Sequence, residues 1–105
     1  MSKTALTEIQ IQRQILDYLA LKKIFAIRIN IGGVLRNGKW CPSPNVTKGV
    51  SDILVLHQGV LTAIEVKRPG GKISEDQIDF LNKIIHHGGK TLIAWSVEDV
   101  VNLFG

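Results

Sequence analysis

Between Thr4 and Leu21, apolar side chains recur at helical spacing. At roughly 100° per residue, Ile15 and Leu19 share one stripe with Glu8 to within about 20°. The pattern predicts a first helix over Thr4–Leu21, capped by Thr4 or Thr7, with Glu8 in the first turn, where a carboxylate suits the positive helix end. It also aims Glu8 toward the rest of the protein, an unusual place for a surface acid. The period then changes to two. Phe25, Ile27, Ile29 and Ile31 alternate with Ala26, Arg28 and Asn30, which predicts a strand over Ile24–Ile31, ended by Gly32-Gly33. Val34–Trp40 reads as a small hairpin around Asn37-Gly38, a type I′ turn pair. Cys41–Lys48 holds two prolines and reads as a loop.

Two β-rich runs follow, Asp52–His57 and Val60–Lys67, separated by the hairpin signal Gln58-Gly59. Arg68-Pro69-Gly70-Gly71 breaks the second run. Ser74 and Gln77 form a capping box for a second helix, whose apolar face is Ile78, Leu81, Ile84 and Ile85 and whose stop is Gly88-Gly89. Lys90–Trp95 predicts a buried strand. Ser96 is placed to cap a short last helix carrying Val100, Leu103 and Phe104. This order predicts an α/β fold with a mixed central sheet flanked by helices. Val60–Trp95 supplies a crossover between parallel strands. The length of 105 residues suits a single domain, and no repeat or low-complexity tract divides it.

The hairpin makes the chemistry legible. With Gln58-Gly59 as the two central turn residues, Asp52 falls opposite Glu65 on one face of two antiparallel strands, with Cβ atoms about 4.5–5.5 Å apart. Like charges so placed repel, and a hard divalent cation offsets the repulsion; Mg²⁺ is typically held by one or two carboxylates plus substrate phosphates. Lys67, two residues beyond Glu65, points to the same face and brings an ammonium beside a metal-bound phosphate. An isolated Glu-x-Lys is commonplace and usually just solvated. Here an opposed aspartate, a Gly-rich strand end and the inward Glu8 accompany it.

Gly49-Val50-Ser51-Asp52, Ile64-Glu65-Val66-Lys67 and the helical Gln77 together resemble the PD-(D/E)XK nuclease superfamily, and more narrowly its virus-type replication-repair nuclease (VRR-NUC) domain. The resemblance extends over nearly the whole chain, from Glu8 to Ser96-Val97-Glu98-Asp99. It implies a restriction-endonuclease-like fold and Mg²⁺- or Mn²⁺-dependent phosphodiester hydrolysis. Asp52 and Glu65 match the family's metal ligands, the Val66 carbonyl a third ligand, and Lys67 its catalytic lysine. Glu8 matches the first-helix acid and Gln77 a supporting polar residue. Ser51 stands where many members have proline. The resemblance also implies branched DNA as substrate, four-way junctions among the forms, and with the frequency of twofold oligomers it favours a homodimer. Trp40, the strand Ile24–Ile31, or Leu103 and Phe104 are candidates to close it.

The net charge of +4 and pI of about 9.5 fit a polyanionic partner, although composition alone is weak support. Lys48, Arg68 and Lys72 flank the proposed site and either grip phosphates or form a solvated basic loop. Arg36, Lys39 and Trp40 stand on the small hairpin, where Trp40 either packs under its own loop or at a subunit contact, or stacks on a base. His57, His86 and His87 sit away from the Asp52 end or at a helix terminus and are not expected to act. The lone Cys41 permits no internal disulfide and fits a reducing, cytoplasmic setting. No apolar stretch approaches the ~18 residues of a membrane helix, and no separate DNA-reading module is present. The competing reading is a non-catalytic nucleic-acid-binding module on the same fold; against it, unneutralised carboxylates repel phosphate.

Overall fold

The computed structural model describes residues 5–29, 33–42 and 47–105. The elements run α1 (Glu8–Leu21), β1 (Phe25–Arg28), β2 (Gly33–Arg36), β3 (Lys39–Pro42), β4 (Ile53–His57), β5 (Val60–Val66), α2 (Glu75–His86), β6 (Lys90–Ala94) and α3 (Val97–Phe104). A four-stranded sheet has the order β1-β4-β5-β6, with β1, β4 and β5 antiparallel in turn and β6 parallel to β5. β2 and β3 pair separately as a hairpin. This is the expected mixed sheet flanked by helices, with α2 as the crossover between its parallel strands.

Local signals set most of the boundaries. Thr7, not Thr4, caps α1: its Oγ1 accepts from the Gln10 N–H at 3.2 Å, and the Gln10 side chain accepts from the Thr7 N–H at 2.8 Å. Ser74 and Gln77 repeat the same reciprocal pair at α2, at 3.2 and 2.9 Å. Asn37-Gly38 and Gln58-Gly59 both take left-handed conformations, as two-residue hairpin turns of the I′ kind require. β1 covers Phe25–Arg28 of the expected strand Ile24–Ile31, whose Asn30 and Ile31 lie outside the described residues, and other details also depart from the sequence pattern. Cys41 and Pro42, expected in a loop, continue β3, because pairing with β2 reaches Gly33↔Pro42. Ser96 occupies the α3 cap position without a side-chain bond, and Asp99 instead accepts from the Trp95 N–H at 2.8 Å.

The pleat divides the sheet into two faces. Ile53, Val55, Ile64, Val66 and Ala94 pack beneath Ile11, Ile15 and Leu19 of α1 and Val100 of α3, all of them buried. Each large aliphatic so placed contributes about 1.5–3 kcal/mol. Alternation sends Leu54, Ala63 and Glu65 to the opposite face, where α2 lies over β5 and β6 and buries Leu81. α2 leaves β1 and β4 open on this face: Phe25 and Ile27 on β1 and Leu56 on β4 are 62%, 47% and 49% exposed. Thus the bulky side of the β1 alternation faces outward and the small Ala26 faces the core. β6, expected to be buried, is covered fully only at Ala94, being the edge strand on the side away from β1.

Candidate active site

The register of β4 on β5 is the one that the Gln58-Gly59 turn dictates: Ile53↔Ile64 through His57↔Val60. Asp52 therefore enters the sheet level with Glu65 and on the same face. Its backbone is fixed by Ile29, whose N–H donates to the Asp52 carbonyl at 2.8 Å. Its side chain is fixed by Val66, whose N–H donates to Oδ2 at 2.8 Å. The strand end thus supplies a main-chain donor that holds one carboxylate beside the other.

Glu65 is 2% exposed, an unusual position for a carboxylate. Its Oε1 accepts from Gln77 Nε2 at 2.9 Å and lies 4.0 Å from Lys67 Nζ. Its Oε2 is buried with no hydrogen-bond donor among the described residues. Burial, first, and then the Asp52 charge and hydrogen bonding to Asp52 push its carboxyl up to about 8; Glu8 adds to the rise and Lys67 opposes it. Glu8 is half-buried at the start of α1, and its Oε2 accepts from the Arg68 N–H at 3.4 Å, bracing the backbone just past Lys67. There Pro69 and Gly70, the latter at φ +84°, turn the chain, closed by Gly71 N–H to the Arg68 carbonyl at 2.9 Å.

Glu8, Asp52, Glu65, Val66, Lys67 and Gln77 are thus drawn from α1, the β4–β5 hairpin and α2 to one sheet end. Among the described residues, no three His, Cys, Asp or Glu side chains are grouped as a ready-made metal cage. The donor set is two carboxylates, one with an undonated buried oxygen, and nearby main chain. That fits a hard cation such as Mg²⁺ or Mn²⁺, which keeps several waters and takes substrate phosphate, better than it fits Zn²⁺.

The VRR-NUC domain family matches residues 8–98. The chain belongs to the VRR-NUC family. A solved VRR_NUC domain protein shares its fold, with a TM-score of 0.62 and 15% identity over 95% of this chain and 86% of that one. No curated protein matches the chain. Membership in VRR-NUC makes this a nuclease-type domain. The restriction-endonuclease-like sheet expected from the site motifs is consistent with that membership.

The flanking residues are less closely tied to the centre. Lys48, Arg68 and Lys72 are exposed; Arg68 lines a cavity of about 440 Å³ with Glu8, Leu6, Ile9 and Pro69. His57, at the turn end of β4, packs edge-on against Phe104 at 5.8 Å, and His86, at the end of α2, against His87 at 5.3 Å. The side chains of Arg36, Trp40 and Cys41 lie outside the described residues. Sequence reasoning missed the Val66 N–H as the anchor of Asp52; an amide donor carries no residue-type signal.

Proposed function

We propose that this VRR-NUC domain is a metal-dependent endonuclease that hydrolyses DNA phosphodiester bonds, acting on branched DNA, four-way junctions included. The observation that carries the reading is the buried Glu65, with an undonated Oε2, set beside an Asp52 anchored on the Val66 N–H. Asp52, Glu65 and the Val66 carbonyl would hold Mg²⁺ or Mn²⁺. Such an ion, when bound, supplies Lewis-acid polarisation of the phosphate and a water of lowered pKa. The Lys67 ammonium, on the same face as Glu65, stabilises negative charge that develops on the scissile phosphate. Gln77 holds Glu65 in one rotamer, and Glu8 fixes the backbone that follows Lys67. Lys48, Arg68 and Lys72 grip phosphates on either side of the cut. Backbone and shape, not base sequence, are read.

A four-way junction has two equivalent strands to cut, which a twofold homodimer matches with two sites. The open Phe25, Ile27 and Leu56 face supports that assembly, since contiguous exposed apolar surface marks interaction sites. Plasmid and branched DNA incubated with the protein in Mg²⁺, Mn²⁺ or EDTA tests the reading. Cleavage that EDTA abolishes and Lys67→Ala loses while retaining metal binding is the expected result. Binding without cleavage in either metal would replace it with the non-catalytic module.

A further inference from the structure

Gly49 precedes Asp52 by three residues, outside the machinery described above. It takes φ +73°, a conformation L side chains rarely adopt. A methyl group there would overlap the carbonyl of Asp76 and stand 2.7 Å from the Gln77 nitrogen. These are backbone atoms in the first turn of α2, which have little freedom to move aside. The Ile78 N–H donates to the Ser74 carbonyl at 3.0 Å, and the Gln77 N–H is bound to Ser74 Oγ. The loop therefore rests, through bare Cα, on the Asp76–Gln77 peptide.

That peptide carries the residue that clamps Glu65. Gln77 uses both ends of its carboxamide: Oε1 accepts from the Ser74 N–H and Nε2 donates to Glu65 Oε1. Its side chain has no slack, so a shift of its backbone moves the donor off Glu65. On the loop side, Val50 is half-buried and Ser51 fully buried, with Oγ donating to the Ile53 carbonyl at 3.3 Å. The segment from Gly49 to Asp52 is consequently short and packed. One end touches the helix that holds Glu65, and the other end is Asp52.

We propose that Gly49 is a positioning residue that keeps the Gln77 carboxamide on Glu65 by seating the loop that leads into Asp52 directly on the Asp76–Gln77 peptide. The proposal deepens the nuclease reading and rests on it for its catalytic consequence. Gly49→Ala forces loop and helix apart and takes Gln77 from Glu65. Its effect therefore runs through Gln77, which a general loosening of the fold would not do.

The test combines cleavage with two readouts that need no activity. Gly49→Ala is expected to lower single-turnover cleavage and Mn²⁺ affinity by about 10–100-fold, the range for supporting residues of metal ligands. In a Gln77→Ala background it is expected to cost less than about threefold more, because both changes remove one interaction. By NMR, the Gln77 carboxamide resonances, shifted in the unmodified protein by the bond to Glu65, move to solvent-like positions in Gly49→Ala. A folded Gly49→Ala protein with unchanged Gln77 resonances, or losses that add in the double variant, overturns the proposal. Should Gly49→Ala fail to fold, an NOE between Gly49 Hα and the Gln77 amide proton in the unmodified protein decides; its absence overturns the contact. An unmodified protein that cleaves nothing in either metal sinks the nuclease reading instead, and the Gln77 resonances still decide the positioning.

Discussion

Two helices of this chain begin with the same four-residue device. Thr7 and Gln10 cap α1, and Ser74 and Gln77 cap α2, with bonds matched to within 0.1 Å. Locally the two are equivalent, each satisfying two of the N–H groups that a helix start leaves unpaired. They differ in what lies beyond the glutamine. Gln10 is exposed, and its Nε2 has no described hydrogen-bond partner, whereas the Nε2 of Gln77 donates to a buried carboxylate. The difference comes from the sheet: α2 lies on the face where the pleat puts Glu65, and α1 on the face of Ile64 and Val66. A capping motif thus becomes part of a site when the fold brings a charged group within reach of its spare donor.

The sharpest test removes that charged group. Glu65→Ala or Asp52→Ala is expected to lower cleavage by at least about 10³-fold, roughly 4 kcal/mol of transition-state stabilisation, while far-UV circular dichroism stays unchanged. Either variant retaining near-normal turnover at saturating Mg²⁺ would leave Gln77 serving a structural acid only, and the two boxes would again be alike.

The second test is thermodynamic and needs no substrate. In the folded chain Glu65 holds its proton to about pH 8, while in the unfolded chain it releases it near the ordinary glutamate value of 4.5. Between those values the folded state binds more protons, so metal-free stability falls as pH rises through this window and levels off above it. The loss is on the order of a few kcal/mol. Denaturant midpoints measured from pH 4.5 to 9 should show this slope in the wild type and lose it in Glu65→Gln. A Gln10→Ala variant should keep it.

How much of this was readable in the sequence depends on the range of each interaction. Both capping boxes and the Gln58-Gly59 turn are local signals, and the turn alone fixes the register that sets Asp52 level with Glu65. The direction of Glu8 followed from helical period. What the sequence does not carry is which sheet face each helix covers. Phe25 and Ile27 look like core positions and face outward because α2 stops short of β1. Gly49 read as part of a motif, but its reason, contact with Asp76 twenty-seven residues on, is tertiary. Ser96 had the residue type of a cap, yet Asp99 supplies the bond.

Gln77→Ala is a smaller perturbation than loss of the acid, since Glu65 keeps its position on β5 and its proximity to Lys67. Removing the carboxamide deletes both its bond to Ser74 and its bond to Glu65. A cleavage loss of about 10–100-fold is expected, with Gln77→Glu no better, because a second carboxylate at Oε1 adds repulsion where a donor stood. Full activity in Gln77→Ala would show that the spare donor does nothing for Glu65 in the reaction.

The smallest expected effect is the most informative about the comparison. Gln10→Ala removes one half of the first box, which costs about 0.3–1.5 kcal/mol of stability, and should leave cleavage within about twofold of wild type, since among the described residues the Gln10 side chain bonds Thr7 alone. One route runs against this. Glu8 is the first residue of α1, and its Oε2 braces the Arg68 N–H at the end of the Glu65–Lys67 strand. If fraying of the first turn releases Glu8, then Gln10→Ala lowers cleavage as Gln77→Ala does, and Glu8→Gln, which can still accept from Arg68, falls less than Glu8→Ala. Single-turnover rates for these four variants separate the outcomes. A twofold or smaller loss in Gln10→Ala keeps the first box a cap alone. A tenfold loss makes both boxes supports of one site, the first through Glu8 and the second through Gln77.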